Sequence, residues 1–249
     1  MGPGLVSFLI MEATPRNRHA ANLFDGVAAG YDFLSRLFSF WQYVRWRRRL
    51  VAALDVGPGD LVLDMCTGTA GVAVEIARCC GSRVVGVDLS PGMLAAGRRR
   101  VQALGLEGQI ELRQGRAEAT GYPDAHFDAL SVTFLLRYVD DMEATLRELV
   151  RVVKPGGRLV LLEFAVPRRT LLRWGWLAYT RVVMPAVALP LSPGWRRAGS
   201  FLGPSISRLY AGRSVEDLRM LVQGAGIGDA RCREMSLGAA VLIWGTRTR

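Results

Sequence analysis

The stretch 61–88 limits what this chain can fold into more than any other. The apolar run Leu61-Val62-Leu63 ends on an acid, Asp64, and a loop of small residues follows, Thr67-Gly68-Thr69-Ala70-Gly71. A helical pattern comes next, then a second apolar run, Val84-Val85-Gly86-Val87, which ends on another acid, Asp88. Two strand-length runs separated by a helix-length segment predict a strand, a tight turn, a crossover helix and a second, parallel strand. Small residues in the turn let backbone N–H groups approach a ligand closely. An acid at the tip of the second strand is placed to accept hydrogen bonds from a ribose diol.

The alternation continues. Strands are predicted over 61–65, 83–88, 109–114, 127–133 and 158–164, with helices over 70–80, 91–104 and 141–153 between them. The last helix shows its buried face in Leu146, Leu149, Val150 and Val153, and Pro155-Gly156-Gly157 ends it and turns the chain into a strand. A helix over 214–224 and a hairpin of 230–235 with 239–245 complete the order. Before the sheet, 22–54 reads as helical with a break near 38–41, and 1–21 reads as a flexible lead. The fold class is therefore α/β: a mostly parallel seven-stranded sheet with helices on both faces, an N-terminal helical segment and a helical cap insertion over 167–212, in one domain spanning 1–249. Asp64, Asp88, 114–117 and 133–137 all fall at the carboxyl ends of strands, where such sheets bind ligands.

Composition narrows the setting. Half of the 249 residues are hydrophobic, enough for a substantial core. Cys66, Cys79, Cys80 and Cys232 form no CxxC pair, and Cys79 and Cys80 read as buried helix residues in a reduced, cytoplasmic chain. His19 and His126 are the only histidines, too few for a histidine metal centre, so no metal site is expected. The net charge is +10 and Lys154 is the only lysine. That arginine bias reads either as base composition of the gene or as attraction to phosphate, on nucleic acid or on lipid headgroups. Residues 1–10 are apolar but lack a basic lead and a cleavage site, Val6 breaks a myristoylation motif, and Met11 is an alternative start. The most hydrophobic stretch, 171–195, is interrupted by Arg173, Arg181 and three prolines; its charge-free run, 182–195, is too short to span a bilayer. It reads as a buried cap or an interfacial segment.

Two cofactor readings compete for the glycine loop. A nicotinamide enzyme calls for glycine at 66, 68 and 71, and Cys66 fills the first of these. The order acid, loop, helix, strand, acid resembles instead the S-adenosylmethionine site of class I methyltransferases. That resemblance implies a Rossmann-like methyltransferase fold, with Asp64 helping to hold the amino-acid end of the cofactor, Gly68 near the sulfonium and Asp88 on the ribose.

Four further segments sharpen the resemblance. They are Phe24-Asp25-Gly26-Val27-Ala28-Ala29-Gly30-Tyr31-Asp32, Gly115-Arg116-Ala117-Glu118, Phe134-Leu135-Leu136-Arg137-Tyr138, and Arg151-Val152-Val153-Lys154-Pro155-Gly156-Gly157 leading to Leu162-Glu163-Phe164. Together they resemble the ubiquinone/menaquinone biosynthesis C-methyltransferases from about Phe24 to the C-terminus. The Lys-Pro-Gly-Gly turn is common to many class I methyltransferases; the opening motif and the Phe-x-Leu-Arg segment are far more specific. The family implies transfer of a methyl group from S-adenosylmethionine to a ring carbon of a prenylated quinol, demethylmenaquinol or a related ring.

The same resemblance implies roles. Thr69, Asp88, Arg116 and Ala117 match cofactor contacts, with Thr133 at the same edge. Arg137 matches an arginine at the reaction edge, able to hold a quinol oxygen, and Tyr31 and Asp32 would close over the site. Each has a plainer alternative: packing for Tyr31, helix capping for Asp32, a surface ion pair for Arg137. The chain departs from the family at Leu135 and Trp41, where glycine is usual, at Tyr138 and Ser35, where asparagine is usual, and at Gly71, where aspartate is usual. The acceptor half therefore carries over less well than the cofactor half. A peripheral membrane contact is expected of an enzyme with a prenylated acceptor, and the oligomeric state stays open, a homo-oligomer included. Other small phenolic or lipid acceptors remain open. A nucleic-acid methyltransferase lacks its usual Asn-Pro-Pro-aromatic motif after the fourth strand, so no nucleic-acid partner is expected. A non-enzymatic adapter would have lost the loop or Asp88, and both are intact.

Overall fold

The apolar periodicities resolve into helices and strands that alternate along the chain. The computed structural model describes residues 14–28 and 30–248. Its strands are β1 (Leu61–Met65), β2 (Arg83–Asp88), β3 (Ile110–Gln114), β4 (Phe127–Thr133), β5 (Val153–Phe164), β6 (Arg231–Met235) and β7 (Ala240–Thr246). Its helices are α1 (Pro15–Asp25), α2 (Tyr31–Phe38), α3 (Gln42–Leu54), α4 (Gly71–Cys80), α5 (Pro91–Ala103), α6 (Met142–Arg151), α7 (Thr170–Ala178), α8 (Met184–Ala188), α9 (Pro193–Leu209) and α10 (Val215–Gly224).

The strands form one sheet in the order β3-β2-β1-β4-β5-β7-β6. The first five run parallel, and β7 lies antiparallel between β5 and β6. Strand order reverses between β1 and β4, which makes their carboxyl ends the natural ligand edge. β1 is buried on both faces, as a central parallel strand must be, and Asp64 is its one polar residue. Val62 joins Leu50, Leu54 and Ile76 of α3 and α4 in one buried layer, and Leu63 joins Leu146, Leu149 and Leu218 of α6 and α10 in the other.

The sheet follows the sequence reading closely, and the N-terminal region departs from it. The first helix starts at Pro15 rather than near 22, so 15–21 is ordered helix, not a flexible lead. Thr14 accepts a hydrogen bond from the Asn17 N–H, and Pro15 takes the first helical position, where a missing N–H costs nothing. The expected break after Phe38 is present; a second one, at 26–28 and Gly30, separates α1 from α2. Gly30 makes it, at φ +79, a conformation that a side chain disfavours. The readings of residues 1–11 lie outside the described residues.

Two smaller expectations are corrected. α6 stops at Arg151, and Lys154-Pro155-Gly156-Gly157 lies within β5 as an irregularity opposite Phe127 and Ala129, not between helix and strand. A Cβ on Gly157 would come within 2.5 Å of the Asp128 carbonyl, so only glycine fits that approach. Cys79 is exposed and Cys80 half-buried on α4, so the pair is helical but not buried; all four cysteines are free.

The insertion forms a helical cap. α7 passes into α8 through a π-helical turn, Tyr179–Val183, and α9 packs back on that turn and on α8. Gly203 allows that approach, because a Cβ there would stand 2.8 Å from the Thr180 carbonyl. Trp195 of α9 contacts the rings of Tyr31 and Phe38, which ties the cap to α2. Among the described residues no helix is long and apolar enough to cross a membrane.

Candidate active site

The loop after β1 lies on the tip of β2. Thr67 N–H donates to the Val87 carbonyl at 3.0 Å, and Gly68 N–H donates to Asp88 Oδ2 at 2.8 Å. Cys66, Gly68 and Ala70 all adopt left-handed backbone, φ 61, 55 and 61, which folds the loop tightly. Gly86 is the other half of this contact, since a Cβ there would meet Thr67 Oγ1 at 2.8 Å. Asp88 also accepts from Ser90 N–H through Oδ1 at 2.9 Å. Each of its oxygens keeps acceptor capacity toward the cleft that it lines.

That cleft brings together Gly68, Thr69, Asp88, Arg116, Ala117, Thr133 and Tyr31. It does not include Asp64 or Asp32. Asp64 is fully buried beneath the loop, where Thr67 Oγ1 and Ser131 Oγ each donate to it at 2.6 Å. Burial pushes its carboxyl up to about 6, against those two hydrogen bonds. It thus shapes the loop from below. Asp32 sits in the first turn of α2, accepts from Thr69 Oγ1 at 3.0 Å and pairs with Arg100 of α5. Arg100 in turn donates to the Thr69 carbonyl at 2.9 Å. Asp32 therefore fastens α2 to the cofactor loop.

α1 lies across the cleft and is tied down at both ends. Asn17 Nδ2 donates to Glu118 Oε1 at 2.8 Å, and Arg16 donates to the Val139 carbonyl at 2.7 Å. At the other end Asp25 accepts from Ser90 Oγ and from Gly92 N–H. The free space left beneath is about 100 Å³, below the ~300 Å³ of ordinary ligand pockets, so α1 roofs the cleft closely. The donor set fits S-adenosylmethionine. Asp88 suits a diol, Glu118 and Asp88 make the cleft electronegative for a cation, and Leu89, Met93 and Ala117 offer apolar surface for a flat ring. Asn17, Glu118 and Arg100 are the residues that sequence reasoning missed as site groups. Glu118 stood within a quoted motif, while Asn17 and Arg100 carried no local signal.

A second cavity, about 560 Å³, adjoins the cleft. Phe24, Tyr31, Tyr43, Phe134 and Tyr138 line both and form the partition. Its far walls come from the cap, through Trp176, Met184, Trp195, Phe201 and Ile206, and its few polar groups include Ser35, Gln42, Thr180 and Ser236. Phe134 stacks on Phe164 with centroids 4.2 Å apart. Burial drives the Tyr31 hydroxyl far above its ordinary value and that of Tyr43 up to about 12, so both stay protonated.

Arg137 lines this chamber, but not as a surface ion pair. Its side chain is 1% exposed; Nε donates to Glu163 Oε1 at 3.1 Å and Nη1 to Ser205 Oγ at 3.1 Å. The guanidinium also lies 4.9 Å from the Tyr138 ring and 5.1 Å from the Phe164 ring. Burial pushes the Glu163 carboxyl up, and bonds from Arg137, Leu136 N–H and Phe164 N–H pull it back. Among the positions that depart from the resemblance, Ser35 and Tyr138 line the chamber, Leu135 lines the cleft, and Trp41 is exposed. Among the described residues no cluster of His, Cys, Asp and Glu is arranged to hold a metal.

The sequence model of the ubiE/COQ5 methyltransferase family matches residues 12–247. The ubiquinone/menaquinone biosynthesis C-methyltransferase UbiE of Geobacter sulfurreducens is 36% identical over 236 residues, covering 94% of this chain and 90% of that protein. A demethylmenaquinone methyltransferase of Bacillus mycoides is 32% identical over 228 residues, 91% of this chain and 94% of that one. Among solved structures, a chain of the complex between the Haloferax volcanii Trm112 methyltransferase activator and a methyltransferase superposes with a TM-score of 0.64 at 18% identity, covering 91% of this chain and 98% of that one. Phosphoethanolamine N-methyltransferase 2 of Haemonchus contortus, solved with S-adenosyl-L-methionine, gives 0.59 at 16% identity over 81% of this chain and 53% of that one. At such identities the two structures show the shared fold.

Proposed function

This chain belongs to the ubiE/COQ5 methyltransferase family and is an S-adenosylmethionine-dependent methyltransferase; on that premise we propose that it methylates a ring carbon of a polyprenylated hydroquinol, demethylmenaquinol or a close relative. The observation that carries this reading is the apolar chamber of about 560 Å³ that shares an aromatic partition with the cofactor cleft. A flat ring with an isoprenoid tail suits aromatic and aliphatic walls with a few hydroxyl and amide groups for its oxygens.

Bound S-adenosylmethionine supplies an electrophilic methyl group, so the protein has mainly to align and to dry the site. The partition of Phe24, Tyr31, Tyr43, Phe134 and Tyr138 sets where a ring can stand relative to the cleft. Orientation of this kind supplies up to about 7–11 kcal/mol in well-aligned systems. Tyr31 and Tyr43 keep their protons and act as hydrogen-bond groups, not as bases. Arg137, already neutralised by Glu163 and held by Ser205, fixes the wall between Tyr138 and Phe164 and is a positioning group, not a free oxyanion holder.

The test is turnover. The purified protein, S-adenosylmethionine and a chemically reduced demethylmenaquinone of short tail are incubated, and the product is read by mass spectrometry. A quinol heavier by one methylene unit, with the new methyl on ring carbon, is expected. Methylation of oxygen, or of simple phenols in preference to the quinol, would replace this reading with that of a general small-molecule methyltransferase.

A further inference from the structure

The chamber opens among side chains that should not face water. Phe40 is 67% exposed, Trp41 56%, Leu171 84% and Trp174 67%. Phe40 and Leu171 also line the chamber, so this apolar surface runs into its interior. The turn that carries Phe40 and Trp41 is strained, for both adopt left-handed backbone at φ 49 and 60. Bulky residues reach that region at a cost of about 1–2 kcal/mol each, and here the strain turns two aromatic rings outward. The turn is pinned to the cap: Tyr179 Oη donates to the Phe38 carbonyl at 2.6 Å, and its ring touches that of Phe40 with centroids 5.3 Å apart.

Charge on the same two segments has one sign. Residues 33–54 hold five arginines and residues 165–212 hold seven, and neither stretch contains an aspartate or glutamate, although Arg47 and Arg48 pair with Glu75 of α4 and Arg168 with Glu234 of β6. On the cap, Arg169, Arg173 and Arg197 are exposed and form no ion pair among the described residues. Farther along it the π-helical turn leaves Val182 65% exposed, and Leu189 is 53% exposed. Nucleic acid would use the arginines and leave these aliphatic groups stranded, whereas an anionic bilayer uses both. Exposed aromatic and aliphatic side chains beside arginine are what a helix needs to lie in a lipid interface.

We propose that the Phe40–Trp41 turn and the outer side of α7 and α8 form a docking surface for an anionic phospholipid bilayer, and that the tail of the acceptor enters the chamber there without leaving the lipid. The second clause rests on the quinol reading; the first does not. The test uses the full chain and two residues that line neither cavity, in the variant Trp41→Gly/Trp174→Ser. Glycine relieves the strained φ at 41, so loss of binding cannot be assigned to a forced backbone. Co-sedimentation is measured with phosphatidylglycerol–phosphatidylcholine vesicles and with phosphatidylcholine alone, with no quinol present. The unaltered protein is expected to sediment with the anionic vesicles, and the variant to partition about tenfold less while binding S-adenosylhomocysteine as before. Equal sedimentation of variant and unaltered protein, no sedimentation of the latter at low salt, or tighter binding of both to an RNA oligonucleotide than to vesicles would overturn the proposal. Given vesicle binding, turnover of long-tailed quinol in vesicles should fall in the variant while short-tailed quinol in solution is methylated as before. If no quinol is methylated at all, the quinol reading fails and the docking surface stands.

Discussion

The strand-tip cleft and the apolar chamber share one partition and are built on opposite principles. The cleft is made at strand tips by short-range geometry: the five-residue loop 66–70, one acid on β2 and backbone N–H groups aimed at it. Its charge, on Asp88, keeps acceptor capacity at the cleft that it lines. The chamber is made by long-range packing, from α1, α2, α3, β5 and the cap, and its charge is spent internally between Arg137 and Glu163. Charge that faces a cleft can serve a ligand; charge locked within a wall serves the wall. The two regions should therefore respond differently to loss of a charged group.

The largest effect is expected in the chamber wall, on stability. Arg137→Met leaves Glu163, which is completely buried, without its cation. Breaking a buried pair from one side costs about 3–5 kcal/mol. Urea unfolding should show a loss of unfolding free energy of that size, and adding Glu163→Gln to the same protein should recover most of it. If Arg137→Met folds as stably as the unaltered protein but loses turnover, the wall reading fails and Arg137 is a free oxyanion group after all.

The same contrast explains what the sequence made legible. Strands 61–65, 83–88 and 127–133 stand where the apolar runs place them, because buried parallel strands leave a continuous signal that nothing else in the chain can satisfy. Asp88, Gly68 and Thr133 follow from being at their ends. Asp64 ends β1 as expected, but it lies beneath the loop and not among the cofactor contacts that the resemblance implies, since a strand's alternation does not say which carboxyl a loop will roof over. Asp32 and Arg100 meet across 68 residues, and Arg137 and Ser205 likewise; such contacts are set by how α2, α5 and α9 pack and leave no local pattern. The start of α1 was legible in principle, from Thr14 and Pro15, but the segment is short and its helical stripe weak.

A pH experiment sharpens the contrast from the cleft side. Folding raises the Asp64 carboxyl from its ordinary 3.8 to about 6, chiefly by burial. The folded chain then binds this proton more tightly than the unfolded chain. Between about pH 4 and pH 6 stability must fall as pH rises, and the loss is complete above the folded value. At about 1.36 kcal/mol per unit, it amounts to roughly 3 kcal/mol. Asp64→Asn keeps partners for Thr67 and Ser131 and carries no charge, so its stability relative to the unaltered protein should improve across that window. A difference curve flat with pH would mean that Asp64 ionises freely in the folded chain.

Asp88 gives the complementary measurement, smallest in energy and most direct in meaning. It already accepts from Gly68 and Ser90, so its charge holds the loop against β2, and its remaining lone pairs face the cleft. Asp88→Asn preserves shape and one acceptor oxygen but turns the other into a donor and removes the charge. A hydrogen bond to a charged group is worth about 1.5–3 kcal/mol, which predicts affinity for S-adenosylhomocysteine about tenfold to a hundredfold weaker by calorimetry. Stability should change less than for Arg137→Met, because both backbone donors lie next to solvent-accessible cleft and water can replace the lost acceptor. The two variants together separate the regions: one loses stability first, the other affinity first. A folded Asp88→Asn protein with undiminished affinity would show that the tip of β2 holds the loop and nothing more, and the cleft would then be, like the chamber, a place where charge serves structure.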